Sequence, residues 1–465
     1  MKQRTLVTTI VIAGVFLASL DLFIVNLAFP DMARDFDGTP LADMSWILNA
    51  YAIVFAALLV PAGRWADRAG RKRGFLLGLA IFTIASAASA AAPTLEVLVG
   101  ARVLQAAGAA LMVPTSLGLL IPEFPAERRA AVVALWAAAG GVAAAAGPPI
   151  GGVLVEASWR WVFLINIPIG LVALVAGARS LREIRDPSGE RPDVLGGALL
   201  AGGIAALVGA IVKGPDWGWG DARVVALFAA AAILVVLVVA RSRSHPAPVV
   251  EPELVRIRST ALANLAALLF FAGFGAMLLG SVLFLTGVWG ESALSAGLMI
   301  APGPAMAALF SVPAGLLGER FGARLVGAAG AAIMALSAIW WVTAMGAEPD
   351  YAGTFLPPFL LGGMGVGLSI PSITGVATAA LPPTRFATGT ALVGMSRQIG
   401  AALGVAVLVA IVGTPAPGEA VAALGHGWLF VAGAMGATAV AMLLTGPAPR
   451  LAPAASPAGT AEQPA

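Results

Sequence analysis

One feature limits this chain more than any other. Apolar runs of about twenty residues recur from end to end, and the charges are confined to the short gaps between them. A helix needs about twenty largely apolar residues to cross the hydrocarbon core of a bilayer. About fourteen runs qualify, at roughly 6–28, 46–63, 75–92, 95–121, 130–155, 161–181, 194–213, 223–240, 261–286, 294–317, 325–346, 353–380, 386–412 and 427–446. Composition agrees: of 465 residues, 59% are hydrophobic and 11% charged, where an ordinary soluble domain carries about 25% charged residues. The expected fold is therefore an all-α membrane protein. The run from Leu6 to Ala28 follows Lys2 and Arg4 with no small-residue cleavage site, so it is expected to remain as the first membrane helix. The stretch 447–465 is rich in Pro and Ala, and a disordered cytoplasmic tail is expected there.

Basic residues set the orientation. With both termini in the cytoplasm, 21 of the 27 Lys and Arg fall on the cytoplasmic side and 3 outside. A sequence pI near 9.8 thus reports topology, and no nucleic-acid partner is expected. There is no cysteine, and the two histidines, His245 and His426, lie far apart, so neither a metal site nor a cofactor is expected. The phosphate-binding pattern G-x-x-x-x-G-K-[ST] is missing, and no nucleophile and base share one depth. The chain is not expected to be an enzyme.

An internal repeat gives the domain plan. Gly63–Lys72 reads GRWADRAGRK and Gly315–Arg324 reads GLLGERFGAR, so Glu319 and Arg320 stand where Asp67 and Arg68 stand. Gly147 and Gly404 make a second pairing at a similar offset. Two homologous six-helix bundles follow, at 1–190 and 246–446, with two additional helices at 191–245 between them.

Three groups of residues have a chemical reading. Gly63 and Gly70 permit a tight loop, in which Asp67 can pair with Arg71 or with a helix N-terminus. Asp21 is a carboxylate about 10 Å deep in the first run, and Arg102 lies at a similar depth in the fourth. Burial disfavours a charged carboxylate and a nearby guanidinium favours it. Moving Arg102 away in one conformation would let Asp21 take a proton, so the pair is a candidate proton switch with about one proton per cycle. In the fifth run Pro148 and Pro149 interrupt helical hydrogen bonding, while Gly140, Gly147, Gly151 and Gly152 admit close neighbours.

These stretches carry a resemblance. GRWADRAGRK, LDLFIVNLAFP (20–30), RVLQAAGAA (102–110), GPPIGG (147–152) and WRWVFLINIPIG (159–170) occur in order along the chain. Together they resemble the motifs of the major facilitator superfamily, in its fourteen-helix drug–proton antiporter branch. The resemblance covers about 6–446; Ala106 stands where glycine is usual. It implies the major facilitator fold in a bacterial cytoplasmic membrane. The implied activity is proton-coupled efflux of small lipophilic compounds, with an endogenous lipid or secondary metabolite as the alternative cargo. The partners implied are protons, the lipid bilayer and the substrate, and the chain is expected to act as a monomer. The resemblance also implies a cytoplasmic gate at Gly63, Asp67, Arg68, Gly70 and Arg71, with Glu319 and Arg320 as the partial second copy. It makes GPPIGG an exporter motif. Depth and family position make Asn26, Gln105, Trp136 and Met395 candidate substrate contacts. Arg397 is a further candidate contact that can bind an anion, cap carbonyls or fix packing; RQIGAALG is similar to the branch's usual sequence, which favours the structural role over anion specificity. The second half has no membrane acid, which points away from dications and toward neutral, lipophilic or monocationic cargo.

Overall fold

Lipid offers no partner for a bare peptide group, so a membrane-crossing chain must satisfy its backbone within helices or a closed barrel. Each apolar run in this chain forms a helix. The computed structural model describes residues 2–36, 38–185, 190–381, 385–416 and 418–446. The expected tail at 447–465 lies outside them. Among the described residues, 14 helices have the length and composition to cross a membrane. They are α1 (Gln3–Asp35), α2 (Leu41–Ala69), α3 (Arg71–Ala90), α4 (Leu95–Glu123), α5 (Ala131–Ala157), α6 (Trp161–Ser180), α7 (Val194–Trp217), α8 (Ala222–Ser244), α9 (Arg258–Val288), α10 (Ala293–Phe321), α11 (Ala323–Ala344), α12 (Tyr351–Ala379), α13 (Thr388–Val412) and α14 (Ala420–Leu444). Several run past the apolar stretch that marks them. α1 continues to Asp35 and α14 begins at Ala420, because helical hydrogen bonding tolerates polar residues beyond the hydrocarbon region.

The repeat in sequence is a repeat in packing. Helix α1 packs on α4, α5 and α6, and α9 packs on α12, α13 and α14. The pair α3–α4 recurs as α11–α12, and α2–α4 recurs as α10–α12. The halves meet along two matching seams, α2 with α13 and α5 with α10. The additional helices break this symmetry. α7 lies on both α2 and α13, and α8 packs chiefly on α7.

Side-chain chemistry explains why α7 stays there. Lys213 near its end pairs with Asp43 of α2 at 2.6 Å. Asp193 caps the start of α7 through the Gly196 amide, and Arg241 of α8 donates to the same carboxylate at 2.5 Å. These contacts stitch α7 at one end to α2 and at the other to α8.

The cores of the two halves differ. In the second, Trp341 packs against Trp428 at 4.7 Å between centroids, with Phe355 and Phe359 beside it. In the first, the corresponding interior holds charge.

Candidate transport site

Asp21 sits on α1 and Arg102 on α4, two helices in direct contact. Both side chains are enclosed, at 0% and 1% exposure. Arg102 Nη1 donates to Asp21 Oδ2 at 2.5 Å. Gln105, one turn further along α4, donates to Asp21 Oδ1 at 2.8 Å and accepts from Arg102 Nη1 at 2.6 Å. The spacing of three residues puts Arg102 and Gln105 on one face of α4. Arg102 Nε donates to the Ile47 carbonyl of α2, and the Tyr51 ring lies 4.3 Å from the guanidinium carbon. Ser86 of α3 accepts from Gln105 at 3.0 Å, and the Asn166 amide of α6 makes longer contacts to Ser86 and Asp21. Five of the six helices of the first bundle thus contribute to one cluster.

Such an arrangement balances two energies. An isolated charge in this setting would be costly, whereas a carboxylate and guanidinium with their remaining lone pairs and protons satisfied are tolerated. The Asn166 carbonyl oxygen is nevertheless buried without a partner. Tyr51, Ser86 and Asn166 were not singled out by sequence reasoning. Asn166 lies within the WRWVFLINIPIG motif, which was its only signal; Ser86 has none, since serine is common in membrane helices.

The other expected residues fall in several places. Gln105 belongs to the carboxylate cluster and is fully buried, so it does not line open space. Met395 is also buried. Asn26 returns its amide to the Leu22 carbonyl of its own helix at 2.7 Å. The Trp136 indole donates to Ser116 of α4 at 2.8 Å and ties α5 to its neighbour. Arg397 alone of this group is exposed, with its guanidinium 4.5 Å from the Phe271 ring of α9.

The loop motif is built around a glycine that no other residue replaces easily. Gly70 separates α2 from α3 at φ +123°, and Gly322 separates α10 from α11 at φ +91°. Both values lie where L side chains are strained. Asp67 accepts from Arg71 Nε at 2.7 Å, and Arg71 also donates to the Gly118 carbonyl of α4. Glu183, just beyond α6, accepts from the Lys72 and Arg73 amides at the start of α3. An acid at a helix N-terminus satisfies donors that the helix leaves free, and this one was invisible in the motif. In the second copy, Glu319 and Arg320 are exposed, and Arg320 lies over Phe321. Among the described residues, then, only the first copy is tied into its bundle by ion pairs and hydrogen bonds.

The GPPIGG stretch packs on both α1 and α10. α5 runs as a helix through Pro148 and Pro149. A Cβ on Gly147 would lie 2.6 Å from Phe23 Cβ, and one on Gly151 would lie 3.3 Å from Ile24 Cα, both on α1. Gly152 faces α10 instead, where a Cβ would lie 2.7 Å from Leu294 Cα. Gly140 has Ser19 of α1 nearby. Of these contacts the Gly152 one crosses between the halves, near the end of α5 opposite the basic loops.

A segment between α8 and α9 spans both halves at the basic end. Glu251 pairs with Arg64 of α2 at 2.6 Å, and Glu253 pairs with Arg385 ahead of α13. The Glu253 carboxylate holds the Arg385 guanidinium above its ordinary value.

The sequence matches the profile described as Major Facilitator Superfamily over residues 11–405. The chain belongs to the Major Facilitator Superfamily. Among curated members of this superfamily it is 34% identical to the Multidrug resistance protein Stp of Mycobacterium tuberculosis, over 88% of this chain and 76% of that protein. It is 33% identical to the Methylenomycin A resistance protein of Bacillus subtilis, over 86% and 85%. It is 34% identical to the Cephamycin export protein CmcT of Amycolatopsis lactamdurans, over 95% and 92%. Two solved structures share the fold. An auto-inhibited peptide transporter of the POT family aligns at TM-score 0.69 and 16% identity, over 96% of both chains. A bacterial homologue of the human lysosomal transporter Spinster aligns at 0.63 and 18%, over 95% of both. The chain is thus a multi-pass bacterial membrane protein of a transporter superfamily.

Proposed function

We propose that this chain is a proton-coupled efflux antiporter that exports small lipophilic, drug-like compounds across the bacterial cytoplasmic membrane. The names of its relatives, which speak of drug resistance and antibiotic export, support the direction and the cargo class. One observation carries the coupling: Asp21 is the carboxylate buried in the interior of a span, and its counter-ion, Arg102, is held by contacts that a helix movement would change. The basic end faces the cytoplasm, in keeping with the bias of Lys and Arg, and both termini lie there. Residues 1–190 and 246–446 form the rocking halves, with 191–245 as the additional pair.

In this scheme Asp21 releases its proton inward while paired with Arg102, and takes one from outside when Arg102 is drawn away. Gly63, Asp67, Arg68, Gly70 and Arg71 order the basic end as the halves move, with Glu319 and Arg320 as the looser counterpart. One inward charge at 100 mV contributes about 2.3 kcal/mol, enough to hold roughly a 50-fold gradient of a neutral substrate. The test is uphill transport in proteoliposomes under an imposed proton gradient. Asp21→Asn is expected to abolish uphill accumulation while leaving downhill exchange. Unchanged uphill transport by the variant would reject the coupling role.

The names of the cephamycin and tetracenomycin C exporters favour a second reading, in which the cargo is a secondary metabolite made by the cell. Dye-accumulation assays set beside profiling of secreted compounds separate the two.

A further inference from the structure

Arg397 lies deep in α13, nine residues from Thr388 and fifteen from Val412, or about 13 Å and 22 Å along the axis. Its direction follows from its neighbours on the helical wheel. Gly400 and Gly404 fall within about one-sixth of a turn of it on one side, and Gly394 falls as far on the other. Gly400 and Gly404 rest on the backbone of α9 at Leu268 and Ala272, and a Cβ on Gly394 would lie 3.0 Å from Leu59 Cδ2 of α2. Arg397 therefore points into the angle between α9 and α2, between the two halves, and not outward to lipid. Protein surrounds it densely, yet its side chain remains exposed. That combination describes a group facing an internal space.

The guanidinium has no ion pair or hydrogen bond among the described residues, and the Phe271 ring lies 4.5 Å from its carbon. From α9 onward every acid of the described residues lies at a helix end or in a loop, at Glu291, Glu319, Glu348, Asp350 and Glu419, and Glu251 and Glu253 ahead of α9 are paired with Arg64 and Arg385. Asp21 is already paired in the other bundle. A cation at mid-depth with no counter-charge is costly unless something supplies one. A cation–π contact offsets part of that cost and leaves the five guanidinium donors free.

We propose that Arg397 is a recognition site for an anionic group, such as a carboxylate, on an amphiphilic substrate. This rests on the transport reading above and names the substrate class of that same path. It reverses the preference for neutral or monocationic cargo suggested by the missing acids alone. Export of a monoanion against one entering proton moves two charges inward per cycle, where export of a monocation would move none.

The test uses binding to the full-length protein in phosphatidylcholine nanodiscs, with no proton gradient. The probes share one pyrene body: 1-pyrenebutyrate, its methyl ester, and the butyltrimethylammonium analogue. Tryptophan-to-pyrene energy transfer reads affinity. The wild type is expected to bind the carboxylate at least about tenfold more tightly than either analogue, the factor of one charge-assisted hydrogen bond. Arg397→Gln should erase that preference, and Arg397→Lys should keep part of it. No saturable binding of the carboxylate, equal affinity for the three probes, or a preference that survives Arg397→Gln overturns the proposal. So does loss of the preference when phosphatidylglycerol is added, which would assign the site to a lipid headgroup. Because no gradient is involved, these outcomes leave proton coupling through Asp21 to its own test.

Discussion

The Tyr51 ring faces the Arg102 guanidinium at 4.3 Å, so the cation that neutralises Asp21 is held by an aromatic surface as well as by oxygen atoms. A desolvated contact of this type contributes about 2 kcal/mol. Tyr51→Phe keeps the ring and should match the wild type in thermal unfolding of the detergent-purified protein. Tyr51→Leu should unfold at a clearly lower temperature. Equal loss in both variants would remove the ring from the account.

Removing one member of a buried pair strands the other. Arg102→Gln leaves the Asp21 carboxylate enclosed without its counter-ion, a loss of about 3–5 kcal/mol. The double variant Asp21→Asn, Arg102→Gln should recover most of it. Guanidinium-free unfolding, by heat with a fluorescent probe, measures both. A double variant as unstable as the single one would show that Arg102 acts through packing and not through charge.

The two motif glycines should respond unequally to alanine. At Gly70 a Cβ would collide with the Glu183 carboxyl group as well as strain the backbone, whereas at Gly322 the space is open. Gly322→Ala should lower stability by about 1–3 kcal/mol, the strain alone. Gly70→Ala should lower it further, and Gly70→Ala with Glu183→Ala should differ less from Gly322→Ala. Thermal shifts of the purified variants test the order.

The α5–α10 seam can be wedged open. In Gly152→Leu the new side chain meets the backbone of Leu294 and Ala293, which cannot yield by a rotamer change. The chain has no cysteine, so a cysteine placed at buried Leu27 gives a clean reporter. Labelling by a membrane-impermeant maleimide from outside should rise several-fold in the Gly152→Leu background. No increase would mean that the seam does not close this end.

Much of the fold was legible in the sequence because lipid simplifies the problem. Apolar length marks each helix, and the 252-residue spacing between Asp67 and Glu319 marks the repeat. The pairing of Asp21 with Arg102 was legible too, since few charges compete at that depth. Its surroundings were not. Ser86 and Tyr51 are ordinary residues of apolar helices, and only the meeting of α2, α3, α4 and α6 gives them a task. Gln105 showed the reverse problem: a polar residue at cavity depth, turned by one face of α4 toward the carboxylate. Glu183 lies outside any motif, and its role comes from the fold bringing the end of α6 to the start of α3.

The position of α7 has a consequence for the face the molecule turns to the bilayer. One flank, where α2 meets α13, is panelled by α7 with α8 behind it, while the other, where α5 meets α10, has the two halves in direct contact. A compound dissolved in the bilayer therefore finds the molecule one-sided, with a wall on one flank and a parting line on the other. The α5–α10 flank is the one whose parting line no additional helix covers.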